Sequence, residues 1–83
     1  MKKRLIFSIA CLLFLACNDK KIAASEVPQP VVAAFNAKYP NASAVEWKTE
    51  TEYDKKTYEA ECKFNDKQIE AVFDTAGNFI KEE

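Results

Sequence analysis

The stretch Tyr39-Pro40-Asn41-Ala42-Ser43-Ala44-Val45-Glu46-Trp47 decides the fold. Before it the apolar residues recur every four positions, and after it every two. Val27, Val31, Phe35 and Tyr39 form one stripe with Val32 and Ala34 beside it, while Gln29, Asn36 and Lys38 face away. That spacing is helical and predicts a helix over about 28–38. Pro40 ends it, because the ring has no N–H to donate and holds Tyr39 in extended backbone. Asn41 supplies the turn.

Beyond Ala42, the residues Val45, Trp47, Thr49, Thr51 and Tyr53 alternate with Glu46, Lys48, Glu50 and Glu52, which is the pattern of a strand with one face buried. Tyr58, Ala60, Cys62 and Phe64 give a second inward set, Ile69, Ala71 and Phe73 a third, and Phe79 belongs to a short fourth strand. A two-residue turn at Asn65-Asp66 sets Cys62 opposite Ile69, Ala60 opposite Ala71 and Tyr58 opposite Phe73. A loop at Thr75-Ala76-Gly77 sets Phe73 opposite Phe79. A four-residue loop over 54–57 sets Tyr53 opposite Tyr58, Thr49 opposite Cys62 and Trp47 opposite Phe64. All three turns keep one apolar face, and a slip by a single residue would destroy that agreement. The expected fold class is α+β, with one N-terminal α-helix packed on one face of a four-stranded antiparallel β-sheet. Its expected core is Val31, Phe35, Tyr39, Trp47, Tyr58, Cys62, Phe64, Ile69, Phe73 and Phe79.

Upstream of the helix the chain changes character. Lys2, Lys3 and Arg4 precede an apolar run from Leu5 to Ala16, and Asn18-Asp19-Lys20-Lys21 ends the hydrophobicity sharply. A basic patch followed by a short apolar run is an export signal, and the run is well short of the roughly 20 residues a permanent span requires. Phe14-Leu15-Ala16-Cys17, with a small residue directly before Cys, resembles a bacterial lipoprotein processing site. That resemblance implies cleavage before Cys17 and lipidation of it. The expected organisation is a signal peptide over 1–16, a lipidated N-terminus and tether over 17–24, and one small domain over 25–83. The expected location is the cell envelope, facing the periplasm or the cell surface, with the membrane held through lipid on Cys17.

The charge balance narrows the partners. Removing Lys2, Lys3 and Arg4 from the 12 basic residues leaves nine Lys against 13 Asp and Glu, a formal side-chain charge of −4. Nucleic-acid binding calls for a basic patch or stripe and is not expected. Cys11 leaves with the signal and Cys17 carries lipid, so Cys62 has no partner for an intrachain disulfide. Its inward position in the strand pattern makes it an inert core thiol.

The segment Val27–Trp47, followed by strands ending in Ala71-Val72-Phe73-Asp74-Thr75-Ala76-Gly77-Asn78-Phe79, resembles the PepSY-like family, also described as beta-lactamase-inhibitor-like domains. The resemblance rests on Pro28, Val31, Phe35, Tyr39-Pro40-Asn41-Ala42, Trp47, Tyr58, Phe73 and Gly77 with the short strand after it, and it covers about 27–81. It implies one helix on a four-stranded antiparallel sheet, an exported or lipidated protein, and binding rather than catalysis. Many members resemble two such modules in tandem, whereas one module is read here.

The residues themselves offer little catalytic chemistry. The chain has no His, no paired Cys at metal-ligand spacing and no Gly-rich phosphate loop. Zinc sites and Ser-His or Cys-His catalysis therefore lack their side chains. Neither an enzyme nor a cofactor is expected. The outward sheet face carries the candidate partner-binding residues: Glu50, Glu52, Glu59, Glu61, Glu70, Val72 and Ile80. The expected registers oppose Glu50 to Glu61, Glu52 to Glu59, Glu61 to Glu70, Lys48 to Lys63, and Val72 to Ile80. Like charges directly opposite are destabilising, so the pattern points either to full solvation or to a basic partner. Two readings of function result: a non-enzymatic envelope binding module taking an envelope protein or cationic peptide, which the family resemblance implies is inhibitory toward an envelope enzyme, or a structural domain that self-associates as a homodimer.

Overall fold

A computed structural model describes residues 18–83; the expected signal segment 1–16 and the lipidation site Cys17 lie outside the described residues. The chain forms β1 (Asn18–Ile22), a single 3₁₀ turn (Ala24–Glu26), α1 (Gln29–Lys38), β2 (Ser43–Glu52), β3 (Lys55–Phe64), β4 (Lys67–Asp74) and β5 (Phe79–Glu82). The strands make one sheet in sequence order, antiparallel throughout. One helix on an antiparallel sheet is the expected architecture, but the sheet has five strands rather than four. The extra strand is β1, cut from the polar stretch expected to be a tether. It pairs Asn18 with Thr51 through Ile22 with Trp47. Its residues lack the alternation that marks a buried face, and an edge strand does not require it. Main-chain hydrogen bonds to β2 are blind to side chains, and lysines are characteristic of exposed edges.

Helix α1 opens after Pro28, with Pro30 in its first turn where the missing N–H is no loss. Tyr39 N–H closes its last turn on the Phe35 carbonyl at 2.8 Å. Its buried stripe lies across the sheet: Val31, Phe35 and Tyr39 are buried, as are Trp47, Tyr58, Ala60, Cys62, Ile69, Ala71 and Phe73 opposite them. Phe35 is the hub, with its ring 5.3 Å from Trp47, 5.4 Å from Tyr39 and 6.4 Å from Phe73. The Trp47 and Phe73 contacts are edge-to-face, and such pairs add to the gain from burial itself. Phe64 is half-buried against Tyr39, their centroids 5.2 Å apart. Phe79 departs from the expected core. It is 42 % exposed on the edge strand, touching Phe73 on one side and covered by the Lys38 ammonium 4.4 Å above its ring.

The β3–β4 hairpin follows the expected register throughout, and the β4–β5 hairpin follows it at Phe73 but not at Val72. Cys62, Ala60 and Tyr58 face Ile69, Ala71 and Phe73, and Phe73 faces Phe79. The β2–β3 register differs. Trp47 faces Ala60, Thr49 faces Tyr58 and Glu52 faces Lys55, closed by the two-residue turn Tyr53-Asp54. Both turn residues have positive φ, at 53° and 65°, as do Asn65 and Asp66 at 52° and 65°. Such turns match the twist of the flanking strands, and the tighter loop wins over the four-residue one despite carrying neither Asn nor Gly. The shift moves each pairing by an even number of residues, so the inward set stays inward except Tyr53, expected opposite Tyr58, which lies in the turn and is 92 % exposed.

The β4–β5 loop is tied to the helix. Asp74 accepts from the Ala76 and Asn78 backbone N–H groups, both at 2.9 Å, and from the Asn78 side chain at 3.0 Å. These bonds, those from Asn78 foremost, hold its carboxyl below the usual carboxylate range. Gly77 has φ of 92°, and a Cβ there would lie 2.5 Å from the Pro30 carbonyl oxygen. No other residue fits that approach.

Candidate functional site

With α1 on one face, the other face of the sheet presents the outward residues of every strand. Lys48 organises its middle. The β2–β3 register places Lys48 opposite Glu59, not Lys63, and Glu50 opposite Thr57, not Glu61. Glu52 faces Lys55 rather than Glu59. Of the expected like-charge pairs only Glu61 opposite Glu70 is present. Lys48 answers it, its ammonium 3.9 Å from Glu61 and 3.7 Å from Glu70. At the β1 edge Lys21 lies 3.7 Å from Glu46. At the other edge Lys81 bonds Glu83 at 2.8 Å, and that bond, with Glu50 and Glu59 nearby, raises the ammonium above its ordinary range. Most of the like-charge pairs read from the sequence are thus absent, while the observed registers set Glu46 opposite Glu61 and Lys21 opposite Lys48, with Lys21–Glu46 and Lys48–Glu61 contacts running diagonally between them.

The seven candidate residues do not form one uniform surface. Glu59 and Val72 are 8 % and 4 % exposed, and they face each other across β3 and β4 in the floor of the face. Glu61 and Glu70 are half-buried around Lys48. Glu50 is half-buried and Glu52 exposed at the β2 end of the face. Ile80 is 49 % exposed but does not pair with Val72. A bulge makes Ile80 the extra residue, and Val72 faces Lys81. Ile80 lines a shallow hollow of about 460 Å³ with Lys55, Lys56, Thr57, Asp74, Thr75 and Ala76. Lys48, Lys21 and Lys81 are the residues sequence reasoning missed. Only the correct β2–β3 register could have revealed the first.

A second hollow, of about 490 Å³, opens between the 3₁₀ turn, α1 and β2, with Val27, Val32, Phe35, Val45 and Trp47 as its apolar lining and Gln29 and Asn36 among its polar groups. Trp47 sits at its back and is 7 % exposed, so its ring serves the core first. Cys62 is fully buried, and burial first, then the Glu82 carboxylate, pushes its thiol up, which suppresses the reactive thiolate. Among the described residues no group of His, Cys, Asp and Glu is placed to hold a metal ion. No described helix is long and apolar enough to cross a membrane.

A helix laid across one face of an antiparallel meander, with no catalytic constellation on the other, accords with the family comparison. The family model described as "Putative beta-lactamase-inhibitor-like, PepSY-like" matches residues 13–81. The chain belongs to the PepSY-like family. This PepSY-like domain is a non-enzymatic binding domain. No curated protein and no solved structure matches it significantly. The matched span includes all five strands and α1 save the last residue of β5.

Proposed function

We propose that this PepSY-like domain is an exported envelope lipoprotein whose outer sheet face binds a cationic protein surface, and that binding inhibits an envelope enzyme. The observation that carries the reading is that outer face. The described helix covers only the opposite side, and Glu50 and Glu52 lie at the β2 end of this one, half-buried and exposed, away from the Lys48 ammonium that draws in Glu61 and Glu70. Val72 and Glu59 give the face a firm floor, and the exposed carboxylates at its margin supply attraction that falls with added salt. Cys17 supplies the anchor in this reading.

The test is a capture from envelope extract by the soluble domain beginning at Asn18, set beside its Glu50→Lys/Glu52→Lys variant. These two positions are preferred because reversing Glu59 would bury a lysine in the sheet and reversing Glu61 would set it against Lys48. The reading expects a partner that is lost in the variant and weakened by salt, while the two proteins unfold at the same temperature. A partner held equally by both moves the site elsewhere.

The second reading, self-association, is favoured by one feature: edge strand β5 carries two exposed apolar residues, Phe79 and Ile80. Sedimentation of the soluble domain decides it, since concentration-dependent dimers abolished by Ile80→Lys would place the interface there.

A further inference from the structure

Three large apolar side chains are exposed among the described residues: Tyr53 at 92 %, Ile80 at 49 % and Phe79 at 42 %. All three lie toward the same end of the sheet, the end at which β1 begins. Asn18 pairs with Thr51, two residues before the Tyr53-Asp54 turn. Ile80 shares its hollow with Lys55 and Lys56, the first residues after that turn. Asn18 therefore lies at the same end of the sheet as Tyr53, the most exposed aromatic side chain among the described residues.

We propose that this end, with Tyr53 at its tip and Lys55, Lys56 and Ile80 behind it, is a seat on the lipid bilayer interface. The proposal rests on the lipoprotein reading. Cys17 directly precedes Asn18, a single Cα–Cα step of about 3.8 Å. The tip at Tyr53 projects two residues beyond Thr51, about 7 Å at strand rise. An anchor at Cys17 with Asn18 held in the sheet thus brings the hairpin tip at least level with the anchored residue. The interfacial layer on each side of the hydrocarbon core is about 5–7 Å deep, so the tip enters it. Its chemistry suits that layer. A tyrosine ring rests at headgroup level with its hydroxyl toward water, and lysines lay their stems on apolar surface and raise their ammonium groups. Glu52 and Asp54 balance Lys55 and Lys56, so the seat does not depend on anionic lipid. With the strands rising from the bilayer, the outer face is held sideways, toward neighbouring envelope proteins.

The test uses the full chain purified from membranes and reconstituted in phosphatidylcholine vesicles, with a nitroxide at Tyr53→Cys, Lys56→Cys or, at the opposite end, Asp66→Cys. Acylation consumes the Cys17 thiol and Cys62 is fully buried, leaving one reactive thiol in each variant. The collision rate with a water-soluble nickel chelate is expected to fall several-fold at positions 53 and 56 relative to detergent-free protein cleaved from its anchor, and to stay unchanged at 66. An acylated chain with all three labels equally accessible overturns the seat and leaves the anchor standing. A chain without acyl groups that does not float with vesicles overturns both. Shielding at 53 that grows with protein density at fixed lipid assigns the tip to a second copy and overturns the seat.

Discussion

Phe35 and Tyr39 show how much of this small core hangs on single side chains. Phe35 is 3 % exposed and touches three other rings. Phe35→Ala is expected to cost about 3–5 kcal/mol, a large share of the total stability of so small a domain. A urea titration followed by Trp47 fluorescence checks it, and a loss below about 1 kcal/mol would remove Phe35 from the centre of the core. Tyr39 adds a polar link, its hydroxyl donating to Glu82 Oε1 at 2.6 Å. Burial first, then that carboxylate, raises the phenol well above its ordinary value. In the unfolded chain the phenol ionises near pH 10. Below that pH the contribution is fully present; above it the unfolded state releases the proton more readily than the folded state, and stability falls. Tyr39→Phe is expected to lose about 1 kcal/mol at neutral pH. The gap between the two proteins should narrow between pH 9 and pH 11, as urea midpoints at the two values will show. A constant gap would mean that the hydroxyl does not hold its proton in the folded state.

At the scale of the element, the β2–β3 hairpin decides the electrostatics of the outer face. Its two-residue turn places Lys48 between Glu61 and Glu70, whereas the longer loop would have set it against Lys63. Tyr53 and Asp54 both hold positive φ without being Gly or Asn, and left-handed backbone of this kind costs about 1–2 kcal/mol per residue. Replacing the pair by Asn-Gly is expected to raise stability by about 1 kcal/mol without changing the register. Thermal unfolding of the soluble domain measures the gain, and NMR contacts between strands 2 and 3 report the register. A destabilised variant would show that Tyr53 or Asp54 makes a contact worth more than the strain.

At the scale of the whole molecule, the five-stranded meander carries the core on one side and the outer face on the other. β1 runs from Asn18 along β2, so a lipid at Cys17 would begin where the sheet begins. Mass spectrometry of the chain extracted from membranes is expected to find acyl groups on a fragment starting at Cys17. An unmodified chain cleaved elsewhere would defeat the lipoprotein reading while leaving the family fold untouched. The same layout means that removing residues 18–22 would uncover the β2 edge and its unpaired backbone groups, which are a template for association.

The helix, the turn at Pro40-Asn41, the hairpin loops at Asn65-Asp66 and Thr75-Ala76-Gly77 and most of the inward face were legible in the sequence. Each rests on a local signal: a period of four, a missing N–H, or alternation checked by a neighbouring turn. Trp47, Cys62 and Phe73 needed no more than that to be placed inside. The β2–β3 register did not follow, because loops of two and four residues keep the same residues inward but for Tyr53, and an apolar ring at that position drew the reading toward the longer loop. Strand β1 escaped because an edge strand of Asn, Asp and Lys is held by main-chain bonds, which leave no mark on side-chain pattern. Ile80 was paired with Val72 until a bulge displaced it, and a bulge is the sheet's answer to twist rather than a property of any one residue. Hydrophobic period is local and written along the chain. Which strand end meets which, and so which charge meets which, is settled only when backbone closes on backbone.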